Sequence, residues 1–183
     1  RQGRAVSEIV AALENAISKR VVAIDIPRSG SPIEEDLEYH LDMAMTLLPD
    51  DTVLLSDPAA GEAYAPATWK RTGDRQLRID AVANRLFAIE QRLESHGLAV
   101  ERIPALLLPS DSSVATYVNV LQETDATQRV VYLPQYGFEA IDRAAVERFQ
   151  QLGYGVHPIR LNNIYRAGGS LRCLVNVVAR KTQ

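Results

Sequence analysis

The sequence predicts a mixed α/β fold built from a repeated unit. Segments whose apolar residues recur with helical spacing alternate along the chain with short apolar segments typical of strands. Clusters of Pro, Gly, Asp and Ser separate them, as expected for turns. The order helix, strand, loop and hairpin or strand returns at intervals of roughly 60 to 75 residues, which indicates a radial or stacked architecture.

The first unit begins with a helix from Val6 to about Lys19. Its apolar residues fall on one helical face, namely Val6, Ile9, Val10, Leu13 and Ile17. A short buried strand is expected at residues 21–26, ended by a Pro- and Gly-containing loop. Residues 40–48 and 52–55 then form a strand hairpin across a Pro-Asp-Asp turn.

Residues 56–78 are expected to form a long loop or lid, because they contain two prolines and two glycines and lack a clear period. Trp69 lies inside this segment. Its ring either closes over a ligand or packs on the domain surface, and surface packing is favoured.

The second and third units repeat the pattern. Each helix is marked by regularly spaced apolar residues, Val82, Leu86, Ile89 and Leu93 in one case and Ile141, Ala145, Phe149 and Leu152 in the other. Gly97 ends the second helix. The expected strands lie at residues 99–103, 117–121, 129–133 and 154–159, with 117–121 and 129–133 forming a hairpin. A final long strand at 171–179 carries Cys173.

Composition limits the classes of function. A chain of 183 residues with 46% hydrophobic and 23% charged residues fits a single globular domain spanning 1–183. A net charge of −3 argues against a nucleic-acid partner. No apolar run or signal peptide indicates a membrane, and one cysteine agrees with a reducing compartment, so a cytoplasmic location is expected. A homo-oligomer is left open.

Cys173 is the first candidate for chemistry. It follows Gly168 and Gly169, which allow a close backbone approach just before the sulfur. A free thiol with a pKa of about 8.5 is only slightly ionised at neutral pH, so a nucleophile needs a cation nearby. Arg172 would point to the opposite face of a strand, which favours a cationic substrate in that role. The alternative is a small, buried structural thiol.

His40 and Asp42 form the second candidate pair. Residues two apart on a strand share a face, so the imidazole and the carboxylate would point into the same space. Together with Cys173 they are the parts of covalent catalysis. The alternative is a surface pair in which the acid only orients the ring. His96 and His157 fit structural roles, and no spacing indicates a metal site; no cofactor is expected.

Three segments carry a resemblance to a known family. They are Tyr-His-Leu-Asp-Met-Ala-Met-Thr at 39–46, Thr-Tyr-Val-Asn at 116–119 and Gly-Gly-Ser-Leu-Arg-Cys-Leu-Val-Asn-Val-Val at 168–178. The chain resembles the pentein, or guanidino-group-modifying, superfamily over nearly its whole length. It is most similar to the arginine deiminase and the agmatine or peptidylarginine deiminase branches. The resemblance implies a pseudo-symmetric α/β propeller, with about three of its five blades in this chain.

The resemblance also implies roles for particular residues. Cys173 would be the nucleophile and His40 the general acid and base. Asp42, Gly169 and Arg172 would bind the substrate, a small cationic guanidino compound such as arginine or agmatine. The implied reaction is deimination through a covalent thiouronium intermediate. Amidino transfer with the same nucleophile, or a non-catalytic binding protein on the same fold, are the alternatives.

The family's upstream blades carry a Glu-Gly-Gly-type motif and a further acidic residue, and neither has a counterpart before His40. The chain also begins at Arg1 and not at Met. We therefore expect the C-terminal part of a longer enzyme, completed by an upstream segment or a second chain. A reduced and inactive relative is the other interpretation.

Overall fold

A computed structural model describes residues 5–24, 40–69, 72–109, 113–125 and 127–176. The helices are α1 (Val6–Ile17), α2 (Leu41–Ala44), α3 (Pro58–Gly61), α4 (Gly73–Ser95), α5 (Glu139–Gln151) and α6 (Leu171–Leu174). The strands are β1 (Met45–Leu47), β2 (Thr52–Asp57), β3 (Ala99–Pro104), β4 (Leu106–Leu107), β5 (Val114–Ala115), β6 (Leu121–Thr124), β7 (Arg129–Gln135) and β8 (Gly155–Arg160). Short 3₁₀ helices cover Glu62–Tyr64 and Ile164–Ala167.

Two three-stranded sheets share one topology. In the first, β1 and β2 are antiparallel and β2 and β3 are parallel; in the second, β6, β7 and β8 repeat this arrangement. Helix α4 lies between β2 and β3 in the chain, and α5 lies between β7 and β8. The unit is thus hairpin, helix and strand, the same cyclic order as the predicted repeat with another starting point. The described residues hold two complete copies, and the number of blades stays a prediction.

The apolar faces of the two long helices pack on the sheets as their spacing predicts. In α4 the face formed by Val82, Leu86, Ile89 and Leu93 is buried against β2. In α5, Ile141, Ala145 and Phe149 belong to a second cluster with Val131 and Leu133 of β7. That second cluster also contains Leu54 and Ile103 of the first sheet, so both units share a continuous core.

Helix α1 differs, because its predicted apolar face is not covered. The side chains of Val6, Ile9, Leu13 and Ile17 are 57%, 46%, 46% and 54% exposed. The segment after α1 makes apolar and polar contacts, and its Val22 and Ile24 pack against the cluster formed by α4 and β2. The backbone N–H of Val21 donates to Glu14 over 2.9 Å, and the Arg20 guanidinium donates to the carbonyl oxygen of His96.

The predicted strand at 40–48 is wrong over its first half. Residues 41–44 form the single helical turn α2, and only 45–47 pair with β2. The Met43 N–H donates to the carbonyl of His40 over 2.8 Å and the Met45 N–H donates to that of Leu41, which closes the turn. The alternation that placed His40 and Asp42 on one strand face therefore does not apply.

The predicted strand at 171–179 is also wrong in its described part. Residues 171–174 form the helical turn α6, in which the Cys173 N–H donates to the Ser170 carbonyl over 3.1 Å. Residues 177–179 lie outside the described residues. Apolar residues alone did not produce a strand here, because the side chain of Asn119 bonds to the backbone of Arg172 within the turn.

The predicted long loop at 56–78 is largely structured. Asp57 caps α3 by accepting from the Ala60 N–H over 2.9 Å, and Thr72 caps α4 by accepting from the Arg75 N–H over 3.3 Å. Trp69 packs edge-on against Phe138 at 5.6 Å, with the Arg75 guanidinium over its ring. The surface-packing interpretation of this tryptophan is the one the structure supports.

Two other predicted strands change. Residues 21–24 pair with no strand in the part of the chain that the structure describes, and 25–26 lie outside it. Residues 117–119 bend, and the hairpin strand begins only at Leu121, where it pairs with Tyr132. The strands predicted at 99–103, 129–133 and 154–159 are confirmed. Gly97 ends α4 as predicted, in the left-handed region at φ 78°.

Candidate active site

Three segments that are distant in sequence meet at the ends of the repeated units. They are the turn α2 with Asp42, the bend at 117–119 before β6, and the turn α6 with Cys173. The thiol Sγ lies 3.8 Å from Oδ2 of Asp42 and 3.6 Å from Nδ2 of Asn119. The structure thus brings Asp42 and Cys173 together, and the roles predicted for the acid and the thiol stay predictions.

Asn119 joins these two residues. Its Nδ2 donates to Oδ2 of Asp42 over 2.7 Å and to the Asp42 carbonyl over 3.3 Å. Its Oδ1 accepts from the backbone N–H of Arg172 over 2.7 Å. Asn119 is fully buried, so both ends of its amide are held by the two turns. This residue was not predicted as part of the site.

A sequence signal for Asn119 exists. A hydroxyl residue precedes each functional side chain by three positions, Thr116 before Asn119 and Ser170 before Cys173. Thr116 and Ser170 are both fully buried. The shared spacing places an amide and a thiol at corresponding positions of two turns, and it can be recognised without coordinates.

Cys173 is exposed, which excludes the buried structural thiol considered from sequence. Gly169 lies beside it: a Cβ built on Gly169 would be 3.5 Å from Cβ and 3.9 Å from Sγ of Cys173. Gly168 adopts the left-handed region at φ 73°, which favours glycine. The glycine pair therefore turns the chain and leaves space next to the sulfur.

His40 is placed differently from its predicted partners. It occupies the N-cap position of α2 and is exposed. Among the described residues, no hydrogen bond joins its imidazole to Cys173 or to Asp42. The role of His40 as general acid and base stays a prediction, because the ring is near the site in sequence but is not bound to the thiol.

Arg172 contributes its backbone to the site, through the hydrogen bond to Asn119. Its side chain is exposed, and its predicted contact with substrate stays a prediction. Of the other histidines, His157 stacks its ring on Tyr132 at 5.5 Å, and the backbone carbonyl of His96 accepts from Arg20. Across the described ranges, no three His, Cys, Asp or Glu side chains cluster as metal ligands do.

Buried phenols form the floor beneath the site. The hydroxyl of Tyr117 donates to Oδ1 of Asp142 over 2.7 Å, and Asp142 also accepts from the backbone N–H groups of Tyr136 and Gly137. Burial, with the neighbouring carboxylate, raises the pKa of Tyr117 and of Tyr136 well above the usual range. Both phenols therefore remain neutral hydrogen-bonding groups.

The described helices include none with both the length and the apolar character that crossing a bilayer requires. No curated protein sequence matches the chain. Several solved structures share its fold, among them three with deiminase names. An agmatine deiminase from C. jejuni with substrate bound is 14% identical, with a TM-score of 0.54 over 92% of this chain and 45% of that one.

A structural-genomics target from Porphyromonas gingivalis, assigned as an arginine deiminase, is 20% identical, with a TM-score of 0.59 over 94% of this chain and 47% of that one. A protein assigned as a peptidyl-arginine deiminase is 18% identical, with a TM-score of 0.56 over 93% of this chain and 47% of that one. The chain thus spans slightly less than half the length of these structures.

The family model for Porphyromonas-type peptidyl-arginine deiminases matches residues 5–177, which is nearly the whole chain and includes Asp42, Asn119 and Cys173. The mixed α/β fold agrees with this match, since the similar structures bear the names of agmatine, arginine and peptidyl-arginine deiminases. The chain therefore belongs to the Porphyromonas-type peptidyl-arginine deiminase family, within the pentein superfamily.

Proposed function

We propose that this chain carries the nucleophile half of a guanidine-hydrolysing site. The observation that supports this most directly is the contact of the Cys173 thiol with a carboxylate, 3.8 Å from Sγ to Oδ2 of Asp42. An exposed thiol beside an acid suits a cationic substrate, because the cation binds the acid and favours the thiolate at the same time. The substrate class is arginine, agmatine or a related guanidinium compound.

Substrate binding would begin at Asp42. Its Oδ2 accepts from Asn119, which leaves further lone pairs of the carboxylate for the N–H groups of a planar guanidinium. The guanidinium carbon would then lie over Sγ of Cys173. Because Asn119 is bound on both sides, the acid and the thiol keep their separation while the substrate enters.

The reaction would proceed in two halves. The thiolate of Cys173 attacks the guanidinium carbon, forming a C–S bond and moving the C=N electron pair onto nitrogen. His40 protonates the departing nitrogen, and ammonia leaves a thiouronium on the sulfur. Water, deprotonated by the same histidine, adds to that carbon; the C–S bond breaks, returning the thiolate and releasing a ureido product.

The agmatine deiminase from C. jejuni gives this scheme a parallel. It was solved with substrate bound as a variant in which serine replaces one cysteine. Retention of a substrate is expected when the missing thiol is the group that turns it over. The identity to that enzyme is 14%, so its substrate comes to this chain only as a candidate.

The rest of the site would come from an additional segment of the same polypeptide. The solved relatives are about twice as long as this chain, and the apolar face of α1 is uncovered. We infer that the additional segment covers Val6, Ile9, Leu13 and Ile17 and supplies the further carboxylates that a guanidinium needs. A dye that binds exposed apolar surface, such as ANS, should then bind the 183-residue chain and bind the longer protein less; equal binding by both would contradict this.

The test of the proposed reaction uses the chain joined to its native adjoining sequence. The protein is incubated with arginine, agmatine and an arginine-containing peptide, and ammonia and ureido products are measured. Turnover that is lost in Cys173→Ala supports the proposal. Product that appears only with an added amine acceptor indicates amidino transfer instead. No turnover of any guanidino compound would favour the non-catalytic binding protein and reject the hydrolase.

A further inference from the structure

A chain of buried hydrogen bonds crosses the core beneath Asp42 and Cys173. The hydroxyl of Ser56 donates to the Met43 carbonyl over 3.3 Å and lies 2.7 Å from Oγ1 of Thr116. The hydroxyl of Tyr136 donates to the Thr116 carbonyl over 2.7 Å and lies 2.5 Å from Oγ of Ser170. This series of hydrogen bonds therefore starts at Met43, next to Asp42, and ends at the turn that carries Cys173.

The direction of each proton in this chain is determined. A carbonyl only accepts, so the one proton of Tyr136 goes to Thr116, and Ser170 must donate to the phenol oxygen. By the same reasoning Thr116 donates to Ser56. Each hydroxyl thus has a single arrangement, and none can rotate without leaving a buried group unpaired.

All four hydroxyl residues are buried. Ser56 is 2% exposed, Tyr136 is 3% exposed, and Thr116 and Ser170 are fully buried. Water is therefore not available to replace a lost partner, so the geometry of the chain is enforced by the cost of unsatisfied polar groups.

This chain of hydrogen bonds is linked to the turns of Cys173 and Asn119 through backbone hydrogen bonds. The Ser170 carbonyl accepts from the Cys173 N–H over 3.1 Å, and the hydroxyl of Thr116 accepts from the Val118 N–H over 3.3 Å, immediately before Asn119. Tyr136 is the only one of the four that contacts both hydroxyl residues of these turns, through the Thr116 carbonyl and the Ser170 hydroxyl. It links the turn of Asn119 to the turn of Cys173.

The ring of Tyr136 is itself immobilised. It meets Tyr117 at 5.4 Å and Tyr165 at 5.5 Å, both in edge-to-face contact. Its backbone N–H donates to Asp142 over 3.1 Å. The phenol oxygen therefore has a defined position from which it can hold two separate segments.

We propose that Tyr136 is a positioning residue for Cys173. Its hydroxyl holds the turn that carries the thiol in register with Asn119 and Asp42, and it touches neither the substrate nor the reacting atoms. This role rests on the proposed function for its catalytic consequence. The placement of the thiol beside Asp42 can be measured without turnover.

The experiment compares Tyr136→Phe with Tyr117→Phe. Both variants remove one buried phenol hydroxyl that donates over 2.7 Å, but Tyr117 donates to Asp142 and contacts neither Thr116 nor Ser170 through its hydroxyl. Cys173 is the only cysteine in the chain, so alkylation reports on it alone. The readout is the rate of labelling by a cationic haloacetamidine divided by the rate with neutral iodoacetamide, together with Tm.

We expect Tyr136→Phe to lower the ratio of the two labelling rates by about 10- to 100-fold. It should lower kcat by a similar factor with little change in KM. This is the effect expected when a thiol is displaced by about 1 Å. Tyr117→Phe should lower Tm to a similar extent and keep the wild-type ratio. Ser170→Ala should behave like Tyr136→Phe, and Ser170→Thr, which keeps the hydroxyl, should restore the ratio in part.

Failure of the positioning role and failure of the proposed function give different results. Equal ratios in Tyr136→Phe and Tyr117→Phe, with wild type preferring the cationic reagent, would overturn the positioning role and leave the proposed function standing. A wild-type protein with no preference for the cationic reagent and no turnover would instead reject the proposed function. If Tyr136→Phe does not fold, Ser170→Ala and Ser170→Thr decide the question.

Discussion

The side-chain amide of Asn119 donates to the carboxylate of Asp42 over 2.7 Å while its oxygen accepts from the turn that carries Cys173. Because the two contacts use opposite ends of one planar group, the distance between the acid and the thiol is set by the length of that amide. Among the described residues, Asn119 is the side chain whose hydrogen bonds reach both the turn of Asp42 and the turn of Cys173.

Replacement of Asn119 should therefore affect stability as well as the site. Asn119→Ala leaves the N–H of Arg172 and an oxygen of Asp42 without their partner at part-buried positions, and should lower the free energy of unfolding by about 1 to 3 kcal/mol. Asn119→Asp should cost more at neutral pH, because two carboxylates would face each other. Denaturant unfolding measures both; an Asn119→Asp protein as stable as wild type at pH 7 would contradict the contact.

His40 provides a test of catalysis separated from stability. The residue is exposed, so His40→Ala should leave Tm close to wild type while lowering turnover of the guanidino substrate by about 10²- to 10⁴-fold, the usual contribution of a general acid and base. His157→Ala is the matched control, since His157 is also exposed but stacks on Tyr132. Turnover that is equal in the two variants would show that His40 does not transfer the proton.

Gly61 should be intolerant of a side chain for a steric reason. A Cβ at this position would lie 1.8 Å from the carbonyl oxygen of Ala105, a backbone atom in the fully buried link between β3 and β4. Gly61→Ala should lower the free energy of unfolding by about 3 kcal/mol or more. Gly73→Ala is the control, because nothing lies within 4 Å of its Cβ, and it should be neutral or slightly stabilising.

High pH should destabilise the fold through its buried phenols. Burial raises the pKa of Tyr117 and Tyr136, while the unfolded chain titrates at about 10. Their contribution is fully present below about pH 10 and is lost as the pH rises further, since the unfolded state then releases protons that the folded state keeps. Denaturant unfolding at increasing pH, with phenolate absorbance, checks this: Tyr117→Phe should reduce the slope, and titration of both phenols in the native protein would contradict it.

The sequence predicted the scaffold better than the site. The spacing of Val82, Leu86, Ile89 and Leu93 located helix α4, because a helix that packs on a sheet must bury one face at that period, and all four residues are buried. The parallel strands that follow the two long helices were predicted from their short apolar segments, at 99–103 and 154–159. Strand β3 pairs in parallel with β2, and β8 pairs in parallel with β7, so both strands lie where the apolar pattern predicts them.

The errors concentrate at 40–44 and 171–174, where the apolar character indicated strands and the structure has helical turns. These turns are held by Asn119, which is remote from both in sequence. The residues of these two turns do not by themselves indicate a partner that lies elsewhere in the chain. A strand-period argument therefore could not predict the direction of the Asp42 and Cys173 side chains, and their roles in one site stay predictions.

The sequence by itself determined the repeated unit, the family resemblance and the chemical groups on offer: one thiol, an acid and a histidine. These three properties follow from residue type and spacing, which the amino-acid sequence contains. Only the tertiary structure decided that the thiol is exposed and lies beside Asp42, that Asn119 bonds to Asp42 and to the turn of Cys173, and that Tyr136 contacts Ser170. The physical reason is that hydrogen bonds between separate turns depend on how the units pack against each other, and that packing is a property of the whole core.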